Sequence, residues 1–163
     1  MANQISNGEQ TSNRVIILLG ADHRGFKLKE ELKNYLRKSG YKYEDLGNLV
    51  FEPKDDYPDF AFKVAKKVAS KANLGILVCG SGEGMALAAN KVKKIRAATA
   101  FNTRQVKNLR EKNDINILCL AADYLKKAAA QKIVKEFLAV KFSGHSHYAG
   151  RIDKIKKIEQ AGL

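Results

Sequence analysis

The sequence predicts an α/β fold: a doubly wound, five-stranded parallel sheet flanked by helices, with a C-terminal helix. Three observations lead there. Five short apolar runs recur along the chain. Each is followed by a segment whose apolar residues repeat at helical spacing, and the third ends in a glycine-rich turn of the kind that joins a strand to a helix. At 163 residues the chain suits one domain, enough to bury roughly 70% of the surface that its unfolded form exposes. We expect residues 1–13 to be a flexible tail and residues 14–163 to be that domain.

The runs are Val15 to Leu19, Tyr41 to Leu46, Leu74 to Val78, Ile95 to Ala100 and Ile115 to Leu120. After the first, Leu28, Leu32, Tyr35 and Leu36 mark one helix face, and Ser39-Gly40 supplies a stop. After the second, Pro58 can open a helix that buries Phe60, Ala61, Val64, Ala65 and Val68. The turn at Gly82 leads into a helix carrying Met85, Ala88, Ala89 and Val92. A fourth helix begins near Thr103, and Leu125, Ala129, Ile133, Phe137 and Leu138 give the fifth a wide apolar stripe. Ile152, Ile155 and Ile158 predict a terminal helix that needs a surface to pack on, its own domain's or a partner's.

A formal charge of +13 fits a nucleic-acid binder, a membrane-surface protein or an enzyme for acidic metabolites. Distribution argues against nucleic acid. The lysines are spread over amphipathic segments and interleaved with acids, as in Lys27-Leu-Lys-Glu-Glu-Leu-Lys33, without a basic block or interspersed stacking aromatics, and are expected in solvent. No apolar stretch approaches the roughly 20 residues that span a bilayer. Met1 to Asn13 lacks the cationic and apolar parts of a secretory signal. Two cysteines, Cys79 and Cys119, form no disulfide framework. A cytoplasmic protein without nucleic-acid or membrane partners is the expectation.

The chemistry concentrates where the first and third runs end. In a doubly wound sheet, ligands collect at the carboxyl ends of strands where the strand order reverses. Leu74-Gly-Ile-Leu-Val-Cys79-Gly80-Ser81-Gly82-Glu83-Gly84-Met85 places a thiol before a row of backbone N–H groups able to hold an anion. Thiolate formation is favoured there by a helix N-terminus and nearby lysines, although a Cys closing an apolar strand also serves as a small core residue. The glycines do not match G-x-G-x-x-G, since Met85 stands at the last position, and no Walker Lys-Ser/Thr pair follows. They permit instead a tight concavity for a carbonyl oxygen, an enediolate or a phosphate. Asp22-His23, after the first run, can grip sugar hydroxyls or move a proton, while Asp22 can also serve only as a helix cap. His145-Ser-His147 lacks a third metal ligand nearby and reads as a surface loop.

Taken together, several segments resemble ribose-5-phosphate isomerase type B, within the wider group that includes galactose-6-phosphate isomerase subunits. They are Gly20-Ala-Asp22-His23-Arg-Gly-Phe26, Asp56-Tyr57-Pro58-Asp59-Phe60-Ala61, Gly75 to Gly84, Ala88-Ala-Asn-Lys91, Ile95-Arg-Ala97 and Asn113-Asp-Ile-Asn116. They run in order from Arg14 to Glu159.

The resemblance implies an aldose–ketose isomerase that uses neither metal nor cofactor and works as a homodimer or dimer of dimers, with active sites at the dimer interface. Its substrate would be a sugar phosphate, with ribose 5-phosphate and ribulose 5-phosphate the leading pair. Carried over by position, Cys79 would be the base moving a proton between C2 and C1, and Ser81 with the loop of Gly80, Gly82, Glu83 and Gly84 would stabilise the enediolate. Asp22 and His23 would position sugar oxygens, Asn113 would hydrogen-bond the substrate, and Arg151 would clamp the phosphate.

The departures are specific. Lys112 stands where the family carries a ring-opening His, and Asp123 and His147 stand where phosphate-binding arginines are common. An Asp facing a phosphate repels it, so either Arg151 with other cations such as Lys112 and Lys91 holds the phosphate, or the substrate differs. A hexose phosphate, an unphosphorylated sugar and a non-catalytic binding role remain alternatives.

Overall fold

The structure, a computed structural model, describes residues 15–71 and 73–162; the expected tail, residues 1–13, lies outside them. Each apolar run overlaps a strand. β1 is Ile17–Ala21, β2 Tyr43–Asp45, β3 Leu74–Cys79, β4 Ala97–Thr99 and β5 Ile117–Ala121. All pairings are parallel, in the order β2-β1-β3-β5-β4. Hydrogen bonding, rather than hydrophobicity, sets their ends. β1 starts two residues after its apolar run begins, because Ile17 is the first residue in register with Tyr43 and Leu74, and Val15 and Ile16 stay partly exposed. At the edge, β4 pairs with β5 alone and shortens to Ala97–Thr99.

Parallel strands need crossovers, and helices supply them. They are α1 (Phe26–Lys38), α2 (Tyr57–Lys71), α3 (Glu83–Ala89), α4 (Thr103–Asn113) and α5 (Lys127–Ala139), with α6 (Ser146–Ala161) closing the chain. Strand side chains alternate between two apolar layers. Ile17, Leu19, Ile76, Val78, Leu118 and Leu120 face α1, α4 and α5, where Leu32, Leu36, Val106, Ile133 and Phe137 are buried. Leu18, Leu77, Cys79, Ile117 and Cys119 face α2 and α3, where the expected Phe60, Ala61, Val64, Ala65, Val68, Met85, Ala88 and Ala89 meet them. Burying a side chain such as Phe137 contributes about 1.5–3 kcal/mol.

Local signals end the helices as the sequence implies. Ser39 caps α1 and Gly40 follows at φ 77°. Asn102 caps α4 by accepting from the Gln105 amide at 2.8 Å. Three readings need correction. Val92 and Leu125 lie outside helices α3 and α5, although both are partly buried against the core. His145-Ser-His147 is not a loop, since His145 is the N-cap and His147 lies in the first turn of α6, whose Ile152 is buried while Ile155 and Ile158 are about half exposed. Finally, Lys29 leaves the solvent expected for its charge run and is 0% exposed, paired with Asp45 at 2.6 Å. It stands beside Leu28 on the inner side of α1, and a buried cation requires such a partner.

Because the strands are parallel, Asp22 after β1, Cys79 at the end of β3 and Ala122 after β5 all lie at one end of the sheet. α4 carries the chain back to the other end. There Asn116 donates to the Arg96 carbonyl at 3.0 Å and accepts from the Arg96 amide at 2.8 Å, ahead of β5 and β4. Asn113 therefore lies at the far end, about 15–20 Å of strand away from Cys79.

Candidate active site

β1 and β3 are neighbours with Ala21 beside Val78, so their exits form one corner. The Asp22 amide donates to the Val78 carbonyl at 3.3 Å, and the Ala122 and Asp123 amides donate to Cys79 and Gly80 at 2.9 and 3.0 Å. Three loops are thereby tied together. Gly25 lets α1 start against β3, since a side chain there would collide with the Val78 carbonyl.

Within this corner the Cys79 Sγ accepts a hydrogen bond from the Gly82 amide at 3.1 Å. Cys79 is only 5% exposed and belongs to the α2/α3 apolar layer, yet this contact gives its sulfur a polar partner at the turn. Gly82 makes the turn possible: its φ is 77°, and a Cβ would lie 2.8 Å from a Thr99 methyl. The Ser81 hydroxyl accepts from the Glu83 amide at 3.3 Å. Among the described residues, the Gly80 and Ser81 amides make no hydrogen bond to protein, and are the donors available to an oxyanion. Tyr57 lies against Gly84, while Arg24 and Asp123 lie against Gly80 and pair with each other.

Asp22 is buried, and its Oδ1 accepts from the Gly25 amide at 2.9 Å. It therefore stabilises the turn ahead of α1, whose N-cap is Gly25. Burial raises the Asp22 proton affinity above the ordinary carboxyl value, opposed by the Gly25 amide and by His23. His23 is partly exposed, and its Nδ1 lies 2.9 Å from Asp55 Oδ1. Its own affinity is raised, chiefly by the hydrogen bond to Asp55 and further by Asp22.

Of the other expected residues, Lys112 and Asn113 are exposed at the C-terminal end of α4, and His147 and Arg151 are exposed on the first turns of α6. Lys112, Asn113 and Arg151 share a cavity of about 470 Å³ walled by Ile152, Ile155 and Ile158. The Cys79 loop is not part of it. The chain thus gathers Asp22, His23, Cys79 and Ser81 at one end of the sheet and Lys112, Asn113 and Arg151 at the other. His147 stands edge-on to Tyr148 at 5.6 Å. Among the described residues, no group of three or more His, Cys, Asp and Glu side chains could hold a metal, and no helix is long and apolar enough to cross a membrane.

Sequence reasoning missed Asp55 and Arg24. Asp55 has no periodic signal, its role arising from a contact 32 positions away. The Arg24–Asp123 pair spans 99 positions and changes the meaning of Asp123. Its carboxylate is engaged by a guanidinium rather than left alone to repel an anion.

Residues 17–155 match the profile of the ribose/galactose isomerase family. The chain belongs to that family. Within it, the chain is 40% identical over 146 residues to a probable ribose-5-phosphate isomerase B of Mycoplasma genitalium, covering 88% of this chain and 95% of that one. It is 39% identical over 148 residues to a putative sugar phosphate isomerase of Bacillus subtilis, covering 90% and 99%. Among solved structures, the fold is similar to ribose-5-phosphate isomerase B from Clostridium thermocellum, with a TM-score of 0.87, 41% identity and 91% and 100% of the two chains covered. It is also similar to the Mycoplasma genitalium enzyme crystallised with bound ribulose-5-phosphate, at a TM-score of 0.86, 38% identity and 90% and 97% coverage. The family expected from the motifs is the family found, and its solved members share the five-stranded parallel architecture.

Proposed function

We propose that this member of the ribose/galactose isomerase family interconverts ribose 5-phosphate and ribulose 5-phosphate through an enediolate, using its own side chains rather than a metal. The observation that carries this is the corner where Cys79 Sγ, held by the Gly82 amide, meets the loop bearing buried Asp22 and His23. The similar Mycoplasma genitalium enzyme with bound ribulose-5-phosphate supports the choice of sugar.

In this reading Cys79 removes the C2 proton of the open-chain aldose. The electron pair forms the C1–C2 double bond while charge moves onto the C1 oxygen, where the Ser81 hydroxyl and the Gly80 and Ser81 amides meet it. Cys79 returns its proton to C1, and the O2 hydroxyl proton passes to O1, leaving the ketose. Asp22 and His23 orient the sugar oxygens. Gly82, Glu83 and Gly84 shape the loop. Asn113 binds the substrate, Arg151 with His147 grips the phosphate, and Lys112 takes the ring-opening position. Purified protein should isomerise ribose 5-phosphate in the presence of a chelator, and Cys79→Ala should lose about a hundredfold or more in kcat. Unchanged turnover in that variant removes Cys79 from the mechanism.

The separation of the two residue groups supports a homodimer in which the far end of one copy completes the near end of its partner. Half-exposed Ile155 and Ile158 beside the Arg151 cavity are suited to burial there. The test is to mix Cys79→Ala and Arg151→Ala subunits after reversible dissociation. A shared site restores about a quarter of wild-type activity, because half the dimers are mixed and each has one intact site. Assayed at substrate well below KM, where Arg151→Ala alone is weak, a site contained in one chain gives no more than the mean of the two variants. The unpaired Cys79 that the reaction needs favours a reducing compartment, the cytoplasm.

A hexose phosphate is the second reading, favoured by Asp123 and His147 standing where phosphate-binding arginines are common in the family. Comparing kcat/KM for pentose and hexose phosphates decides between the two.

A further inference from the structure

The loop joining β2 to α2 holds a hydrogen-bonded chain that ends on His23. At its base the buried Lys29 Nζ lies 2.6 Å from Asp45 Oδ2 and donates to the Asn48 carbonyl at 2.7 Å. The Asn48 side-chain amide donates to Asp55 Oδ2 at 2.9 Å. The other carboxylate oxygen, Asp55 Oδ1, accepts from the His23 backbone amide at 2.8 Å and lies 2.9 Å from its Nδ1. One oxygen is thus pinned from below, while the other holds both the main chain and the ring of a residue in the Cys79 corner.

We propose that Asp55 is a positioning residue of the isomerase site: it fixes the His23 ring through Nδ1 and turns Nε2 toward a substrate oxygen, to which it donates whenever the ring is protonated, with Asn48, itself held by Lys29, anchoring the carboxylate. This deepens the isomerase reading and rests on it. Three arguments carry it. An Nδ1–H bonded to a carboxylate settles which ring nitrogen faces a ligand, as second-layer carboxylates do for functional histidines elsewhere. The contact is doubled, since the same oxygen takes the His23 amide, so ring and backbone are held as one unit. Arg24, the next cation of this loop, is already paired with Asp123, which leaves the His23 charge for the anionic substrate.

The groups facing His23 are Asp55 from the β2–α2 loop and Asp22 from its own loop. Both favour the imidazolium, Asp55 most strongly through its hydrogen bond, and partial burial opposes them. Charge on Nε2 therefore persists to higher pH than in a free histidine, and substrate affinity should weaken as pH rises through the His23 titration.

The experiment compares wild type with Asp55→Asn and Asn48→Ala by NMR titration of the His23 ring without substrate, and by KM and kcat across pH. Asp55→Asn keeps an oxygen acceptor but removes the charge. Its His23 titration should move to lower pH, and KM for ribose 5-phosphate near neutral pH should rise about tenfold with a smaller change in kcat. Asn48→Ala should shift both in the same direction by less. An unmoved titration in Asp55→Asn overturns the link between Asp55 and His23. A moved titration with an unmoved KM profile in an active enzyme overturns the positioning role. If wild type isomerises no sugar phosphate, the isomerase reading fails and the role in substrate binding falls with it, while the titration still judges the Asp55–His23 link.

Discussion

The two ends of this sheet are built in different ways. Where β1 and β3 exit, short loops are fixed by main-chain hydrogen bonds, a left-handed glycine and a buried carboxylate, and side chains such as Cys79 and Asp22 have little room to move. At the other end Lys112, Asn113 and Arg151 project from helix α4 and the first turns of α6 into a cavity that one chain leaves open. Groups that break and make C–H bonds need exact placement, because misplacement by about 1 Å can cost a hundredfold in rate. Groups that hold a charged phosphate act over longer distances and tolerate flexible stems. In the proposed reaction, this contrast would divide the work between a rigid end and a compliant one.

The largest expected effect tests the foundation of the rigid end. Asp45→Asn removes the nearer and more buried of the two carboxylates on Lys29, leaving Glu30 at 3.1 Å and the Asn48 carbonyl, and should lower unfolding free energy by about 3 kcal/mol in denaturant titrations. The pH sign follows from the same pair. Burial alone would raise the Asp45 carboxyl, but hydrogen bonds from Lys29 and Lys33 prevail and hold it below its ordinary value of 3.8. The stability it contributes is complete above that value and disappears as pH falls through the lower folded value. Acid titration of Asp45→Asn should lack this component. Next, Cys79→Ala should reduce kcat by the hundredfold or more stated above while leaving KM nearly unchanged. At the compliant end, Arg151→Ala should instead raise KM about tenfold and alter kcat less. Equal losses in kcat at both ends would erase the distinction. Smallest is Asp22→Asn, which keeps an acceptor for the Gly25 amide but removes a charge that burial disfavours. Thermal unfolding should show a gain of about 1 kcal/mol even as activity falls.

Most of the rigid end was legible because its signals are local. Three closely spaced glycines after an apolar run mark the turn, and Leu28, Leu32 and Leu36 recur at the spacing of one helix face. The same holds for Phe60 to Val68 on α2. Tertiary geometry hid the remainder. Lys29 reads as a surface charge until Asp45 of β2 stands over it, and Asp55 is one acid among several until the loop folds back on His23. The positions of Lys112 and Asn113 followed from family motifs, but their distance from Cys79 depends on α4 running against the strands. Ile155 and Ile158 show the opposite limit, since their spacing predicted an apolar face that this chain leaves half exposed.

Lys29 has a practical consequence. An amine with 0% exposure in the native fold is out of reach of acylating reagents that modify the surface lysines around it. Its labelling rate would therefore count openings of the segment between Asp45 and Asp55, giving a chemical clock for local unfolding beneath the site.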